Sequence, residues 1–230
     1  MLIVTARRGK GYPDAPSNYG AEGWLAETWN GDGGVVSAYE AAYRGTTGSP
    51  IVYVHDDVSI HSDVWPQQIE AEFADPKVAI VGMGGALGIG TPDIYRRPYN
   101  IWQLQRIDYF SNQTDWQVHG KREEDLRDVA VVDGFFMAVR REFLDQIGGW
   151  SWMQTRFHCY DVALCLMAHR KGWKVRMVGV NCTHHGGGTS TSAEYKAWLE
   201  SQGTNQAEDH SKPHEWLYNE FRDVLPLRVR

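Results

Sequence analysis

IVYVHDDVSI, residues Ile51 to Ile60, is a run of β-formers that stops abruptly at His55, Asp56 and Asp57. Ile51, Val52, Tyr53 and Val54 put apolar side chains on both parities, which reads as a strand covered on both faces. Two adjacent carboxylates have no place inside such a strand, so they belong where the chain leaves the sheet. There they suit a divalent cation, which takes oxygen ligands and can in turn hold a diphosphate. A bare Asp-Asp pair is more often a solvated loop or a helix N-cap. Its meaning therefore depends on what else reaches the same end of the sheet.

Upstream, Leu2 to Thr5 reads as a first strand and Val35 to Tyr43 as a helix stopped by Gly45, so strand, helix and strand open a parallel α/β sheet. Between them, Arg8 to Gly34 is rich in Gly, Pro, Asp and Asn without clear periodicity and reads as a long binding loop. Downstream, Ser62 is placed to cap a helix running to about Ala74, with Pro66 in its first turn. Val78 to Val81 is the next buried strand. Gly82 to Gly90 lacks the Lys-Ser/Thr of a P-loop and reads as a mobile loop.

Ile94 to Asp128, rich in Tyr, Trp, Arg and Gln, shows no clear element and suits a surface for something bulky and polar. Val129 to Val132 reads as a strand ending in Asp133 and Gly134, Phe135 to Val139 continues extended, and Arg141 to Ile147 is a short helix closed by Gly148. Arg140 and Arg141 read as solvated. A helix from Tyr160 to Lys171 has Asp161 at its start and Gly172 at its end. Lys174 to Val180 is the following strand, running into Thr183, His184, His185 and Gly186 to Gly188. Two amphipathic helices, at about Ala193 to Gln202 and Pro213 to Val224, are joined by the polar stretch Thr204 to Lys212.

The chain of 230 residues suits one α/β domain over residues 1–203, with residues 204–230 as a helical appendage that packs on it or acts as a lid. A net charge of -6 with mixed signs gives no footprint for nucleic acid or an anionic membrane. Cys159, Cys165 and Cys182 are odd in number and form no CxxC pair, which suits a reducing compartment. The apolar start is too short for a signal segment, and no run is long enough to span a bilayer. These features suggest a soluble, cytoplasmic protein.

Asp56, Asp57, Asp133, Asp161 and the pair His184 and His185 all fall at strand or helix ends. Oxygen and imidazole groups without a thiolate suit Mn²⁺ or Mg²⁺ better than zinc. Each has a plainer reading: Asp161 as a dipole-satisfying acid in a first helical turn, the histidines as a polar strand exit, Trp150 and Trp152 as packing. The residues nevertheless carry a resemblance. HDDV, then VDGFFMAVRREFLDQIGGW, then FHCYDVALCLMAHRKGWKV, then HHGGGTS, together spanning about Ile51 to Ser190, are similar in order and spacing to the family-2-like glycosyltransferases of the GT-A fold. The branch it resembles has an acidic motif beginning with histidine and a later helix beginning with Tyr-Asp.

The resemblance implies a mostly parallel sheet flanked by helices and a set of roles. Asp57 would bind the metal, with Asp56 sharing the coordination. His55, where the family often has an Asp, would contact ribose or phosphate. His184 or His185 would be the C-terminal metal ligand or a diphosphate contact. Thr5, Ala6 and Arg7 would meet the nucleotide. Asp133 and Gly134 would touch donor sugar or acceptor together with Tyr160, which replaces an acid, and Trp150 is a candidate sugar platform, as are Trp152 and Trp102. Asp161 would be the general base. The implied activity is inverting transfer of a hexose or deoxyhexose from a UDP- or GDP-type donor to a carbohydrate, protein or lipid-linked acceptor. Two competitors use the same residues: a phosphoesterase with a dinuclear metal centre at His55, Asp57, His184 and His185, and a non-catalytic carbohydrate-binding module.

Overall fold

The computed structural model describes residues 2–7, 23–27, 34–55, 57–90, 106–111, 127–185 and 192–229. Its two faces are set by alternation along β3 (Ile51–His55), whose first four residues are all buried. Ile51 and Tyr53 enter one apolar cluster, Val52 and Val54 another on the opposite side. β10 (Phe136–Val139) repeats the pattern, with Met137 and Val139 in the first cluster and Phe136 and Ala138 in the second. Both strands thus lie inside a three-layer arrangement, as side chains alternating across a doubly covered sheet require.

The central sheet runs in the order β2 (Gly23–Glu27), β1 (Leu2–Arg7), β3, β10, β5 (Val78–Gly82), β11 (Lys174–Met177), β8 (Arg127–Asp128). β2, β1, β3, β5 and β11 share one direction, while β10 and β8 run against their neighbours. The first face is covered by α1 (Gly34–Gly45), α3 (Arg141–Ile147) and α4 (Tyr160–Arg170), and the second by α2 (Trp65–Glu72) through Trp65 and Ile69. This is a mixed, mostly parallel sheet flanked by helices, as the resemblance implies.

Several elements differ from the sequence reading. The segment from Arg8 to Gly34 contains strand β2, which its Gly-rich composition concealed. Gly82 to Gly90 is no mobile loop: β6 (Gly84–Ile89) is a buried strand pairing with β7 (Arg106–Ser111), β9 (Val131–Val132) and β13 (Leu227–Arg228). Its neighbourhood is crowded, since a Cβ on Gly82 would lie 2.6 Å from Val132 Cβ. Ser62 caps no helix; α2 begins after Val64, and the Ser62 hydroxyl donates instead to Gln68 Oε1 at 3.2 Å. Arg140 and Arg141 are not simply solvated. Arg140 donates to the carbonyls of Val78 and Phe73 at 2.7 Å and of Asp75 at 3.0 Å, and Arg141 donates to the carbonyl of Gly48 at 2.9 Å.

After α5 (Ala193–Ser201), α6 spans Gln206–Glu220, so most of the stretch from Thr204 to Lys212 is helix. Asn205 caps it, its side chain accepting from Glu208 N at 3.1 Å. Leu217, Tyr218, Phe221 and Leu225 are buried in the same cluster as the sheet's first face. The Arg170 guanidinium lies 4.4 Å above the Phe221 ring and pairs with Glu220 and Asp223. Phe221→Ala is expected to lower the stability of the whole chain by about 3–5 kcal/mol, seen as an earlier midpoint in a single urea transition. A separate early transition confined to the C-terminal helices would mark residues 204–230 as an independent unit.

Candidate metal centre

Two short strands deliver the site. β4 (Val58–Ile60) follows directly on Asp57, and β12 (Cys182–His184) pairs with it antiparallel, setting His184 opposite Val58. His185 N extends the ribbon by donating to the Asp57 carbonyl at 2.7 Å. Consecutive residues of a strand face opposite ways, so one histidine of the pair turns inward and the other outward. His184 is the inward one, its ring stacked on Phe135 at 5.4 Å between centroids. His185 is exposed and its Nε2 lies 2.9 Å from Ser59 Oγ. His55 shares the parity of Ile51 and Tyr53 and projects from the end of β3 toward the same place.

There, His184 Nε2 is 3.2 Å from Asp57 Oδ1 and 3.4 Å from His55 Nδ1. Ligand atoms of His55, Asp57 and His184 all lie within 4.8 Å of one another, the one such group among the described residues. Octahedral ligands about 2.1 Å from a cation are about 3 Å apart when adjacent, close to the 3.2 and 3.4 Å that separate His184 Nε2 from Asp57 and His55, so the three side chains suit one divalent ion.

The start of α4 abuts this cluster through a single peptide. Gly134 N–H donates to Asp161 Oδ2 at 3.0 Å, and the Gly134 carbonyl accepts from the Tyr160 hydroxyl at 3.1 Å. A Cβ on Gly134 would stand 2.4 Å from the Tyr160 oxygen, so only glycine permits the approach. Asp161 is 7% exposed, and its Oδ1 also accepts from Val162 N at 2.9 Å, in the helical first turn where an anion is favoured. Asp133, half-buried, accepts through Oδ1 from Phe135 N at 3.3 Å. The Tyr160 hydroxyl also meets His55 Nε2 at 2.7 Å. Burial, with Tyr39, Asp161 and Asp133 nearby, pushes the Tyr160 phenol well above its ordinary value, so it stays protonated.

The structure therefore brings together Asp57, His184 and His55, with Tyr160, Asp133, Gly134 and Asp161 adjoining, and it turns His185 away. His55 faces the other two candidate ligands, a placement the sequence reading gave it only toward ribose or phosphate and, in the dinuclear alternative, toward metal. That dinuclear alternative loses its fourth ligand with His185. One expected sugar contact is corrected. Trp150 is fully buried, its Nε1 donating to the Tyr53 hydroxyl at 3.1 Å within a cluster of Tyr39, Tyr53 and Tyr160, so no sugar reaches its face. Tyr160 is 5% exposed, and its hydroxyl meets the Gly134 carbonyl and His55 Nε2. Trp152 packs beside Trp216 and Phe221. Ala6 lies across from His55 in the sheet, which puts the Thr5-to-Arg7 backbone at this edge; the side chains of those three, like Asp56 and Trp102 entirely, lie outside the described residues.

Residues 27–220 match the family model described as "Glycosyltransferase like family". No curated protein matches the sequence. Among solved structures, the mannosyltransferase PcManGT from Pyrobaculum calidifontis, in complex with GDP-Man and Mn²⁺, is similar with a TM-score of 0.54 at 15% identity, over 98% of this chain and 65% of that one. GalNAc-T7 with UDP, GalNAc and Mn²⁺ is similar with a TM-score of 0.57 at 13% identity, over 97% of this chain and 56% of that one. The chain thus spans less than two thirds of either protein, and at such identities the likeness shows the fold.

Gly134→Ala is expected to push the Tyr160 hydroxyl away and lower stability by about 1–3 kcal/mol, as overpacking does. Urea unfolding checks this; an unchanged midpoint would mean that the Tyr160 ring moves aside without strain.

Proposed function

The chain belongs to the glycosyltransferase-like family, and on that premise we propose that it is a metal-dependent transferase moving a sugar from a nucleotide-diphosphate donor to a hydroxyl acceptor. The observation that carries the metal site is the convergence of His55, Asp57 and His184 from three separate strand ends onto one point. These three residues hold the cation, and the open side beside them receives the diphosphate. Two imidazoles with one carboxylate favour Mn²⁺ over Mg²⁺, which prefers oxygen ligands throughout. When bound, the cation offsets the negative charge that builds on the departing diphosphate.

Asp161 serves as the general base, accepting the proton of the attacking hydroxyl as the new bond forms. Its place in the first turn of α4, anchored through the Gly134 N–H, fixes it at the end of the sheet where the metal ligands emerge. Asp133, the more exposed of the two acids, orients the donor sugar or the acceptor from the same turn. A base facing the sugar opposite the diphosphate gives inversion. The donor is of UDP or GDP type with a hexose or deoxyhexose, and the acceptor a glycan, protein or lipid-linked sugar; the ligands named for PcManGT and GalNAc-T7 support that class. Residues 204–230 complete the same domain, in keeping with the burial of Phe221 and Leu225. No described helix is long and apolar enough to cross a membrane.

Mn²⁺ with UDP or GDP is expected to raise the melting temperature jointly, with about 2.7 kcal/mol of stabilisation at a hundredfold excess over Kd. Asp57→Ala should abolish the joint effect, and a variant that kept it would remove Asp57 from the site. Asp161→Asn is expected to reduce sugar transfer about 10²- to 10⁴-fold with nucleotide binding intact. Transfer at the original rate would dismiss it as the base.

A further inference from the structure

This inference rests on the metal site just proposed and concerns how one of its ligands is aimed. The Tyr160 hydroxyl lies 3.1 Å from the Gly134 carbonyl oxygen and 2.7 Å from His55 Nε2. A phenol has one proton to give and lone pairs to receive with. The carbonyl of buried Gly134 can only accept, so it takes the Tyr160 proton, since a buried carbonyl deprived of its donor is unfavourable. The Tyr160 oxygen then accepts from its other neighbour, and His55 must present Nε2–H to it. A neutral imidazole carries a single proton, which leaves Nδ1 bare.

Nδ1 is the atom that faces the cluster, 3.4 Å from His184 Nε2. His184 Nε2 is also 3.2 Å from Asp57 Oδ1, so its one N–H lies between two acceptors. With that proton carried on the ring's Nδ1 instead, as the other neutral tautomer of His184 has it, a divalent cation meets three lone pairs at this point. The opposite tautomer of His55 would aim a second proton into the same space, and it too would have to move to the outer ring nitrogen before Nδ1 could ligate. Hydrogen bonds from the outer nitrogen of a ligand histidine are the usual means of fixing which nitrogen is free for metal.

We propose that Tyr160 is a positioning residue of the metal centre: fixed by the Gly134 carbonyl, its hydroxyl holds His55 in the Nε2–H form and so presents a bare Nδ1 to the cation. The Tyr-Asp pair that opens α4 then has two distinct tasks, Tyr160 toward the metal ligand and Asp161 toward the acceptor.

The test uses the full chain with nitrogen-15-labelled histidine, free of metal, and long-range proton–nitrogen correlation spectra. The His55 signals are identified by their loss in His55→Gln. His55 is expected to show the Nε2–H pattern, shifting toward Nδ1–H or a mixture in Tyr160→Phe. The Mn²⁺ dissociation constant of Tyr160→Phe, measured by electron paramagnetic resonance, is expected to rise about tenfold or more. An Nδ1–H His55 in the unmutated protein, or an unchanged tautomer in Tyr160→Phe, would overturn the proposal; if Tyr160→Phe does not fold, the first of these decides alone. Asp57→Ala separates this from the metal site itself. Retained Mn²⁺ binding there would sink the site, leaving the tautomer to judge Tyr160. Lost binding there with an unchanged constant in Tyr160→Phe would overturn the positioning role only.

Discussion

A strand buried on both faces admits no charge along its length, and that constraint shapes the whole molecule. β3 keeps Ile51 to Val54 inside and releases His55 and Asp57 only where it ends. The ionisable groups are thereby collected at one edge of the sheet. β1 ends beside it, with Ala6 opposite His55, and the turn before β10 brings Asp133 and Gly134 to the same edge. The core decides where the chemistry can be, and packing on both sides of the sheet holds it there.

The second organising contact is the Gly134 peptide. Its N–H and C=O are taken by consecutive residues of α4, Asp161 and Tyr160, so the helix start, the β10 turn and the end of β3 are tied through one amide. The ring of Tyr160 is in turn set by Tyr39 and Trp150, centroids 5.7 and 6.3 Å away. Aromatic packing therefore reaches the candidate metal ligands through a short, buried chain of contacts, the kind of support that keeps a site in one geometry.

Elements with strong periodicity were readable from sequence: β1, β3, β5, α1, α3 and α4 fall close to where their apolar patterns put them. β6 is hidden in the sequence because Gly84, Gly85 and Gly88 have no side chains with which to show a period, although the smallness of Gly85, whose Cβ would lie 2.6 Å from the Val131 carbonyl oxygen, lets β6 lie against β9. The start of α6 is hidden because Thr204 to Lys212 is polar apart from Ala207 and shows no apolar period, yet Asn205 followed by Glu208 is a capping pattern that marks it. At the site, Asp57 and the histidine pair were legible as types. Choosing His184 over His185 needs the register of β12 on β4, which no local pattern encodes. Trp150 was open to misreading because aromatic identity does not distinguish a core ring from an exposed one.

His55 and His184 stand 129 positions apart in sequence, and the ribbon of β4 and β12 that unites them forms only when distant parts of the chain have met. Closing so long a loop is entropically demanding and comes late for a nascent polypeptide. A cation held by these three candidate donors could not act as an early template, because they do not coexist until the chain has been made through His184. Ion capture at this point would follow the pairing of β4 with β12 rather than guide it.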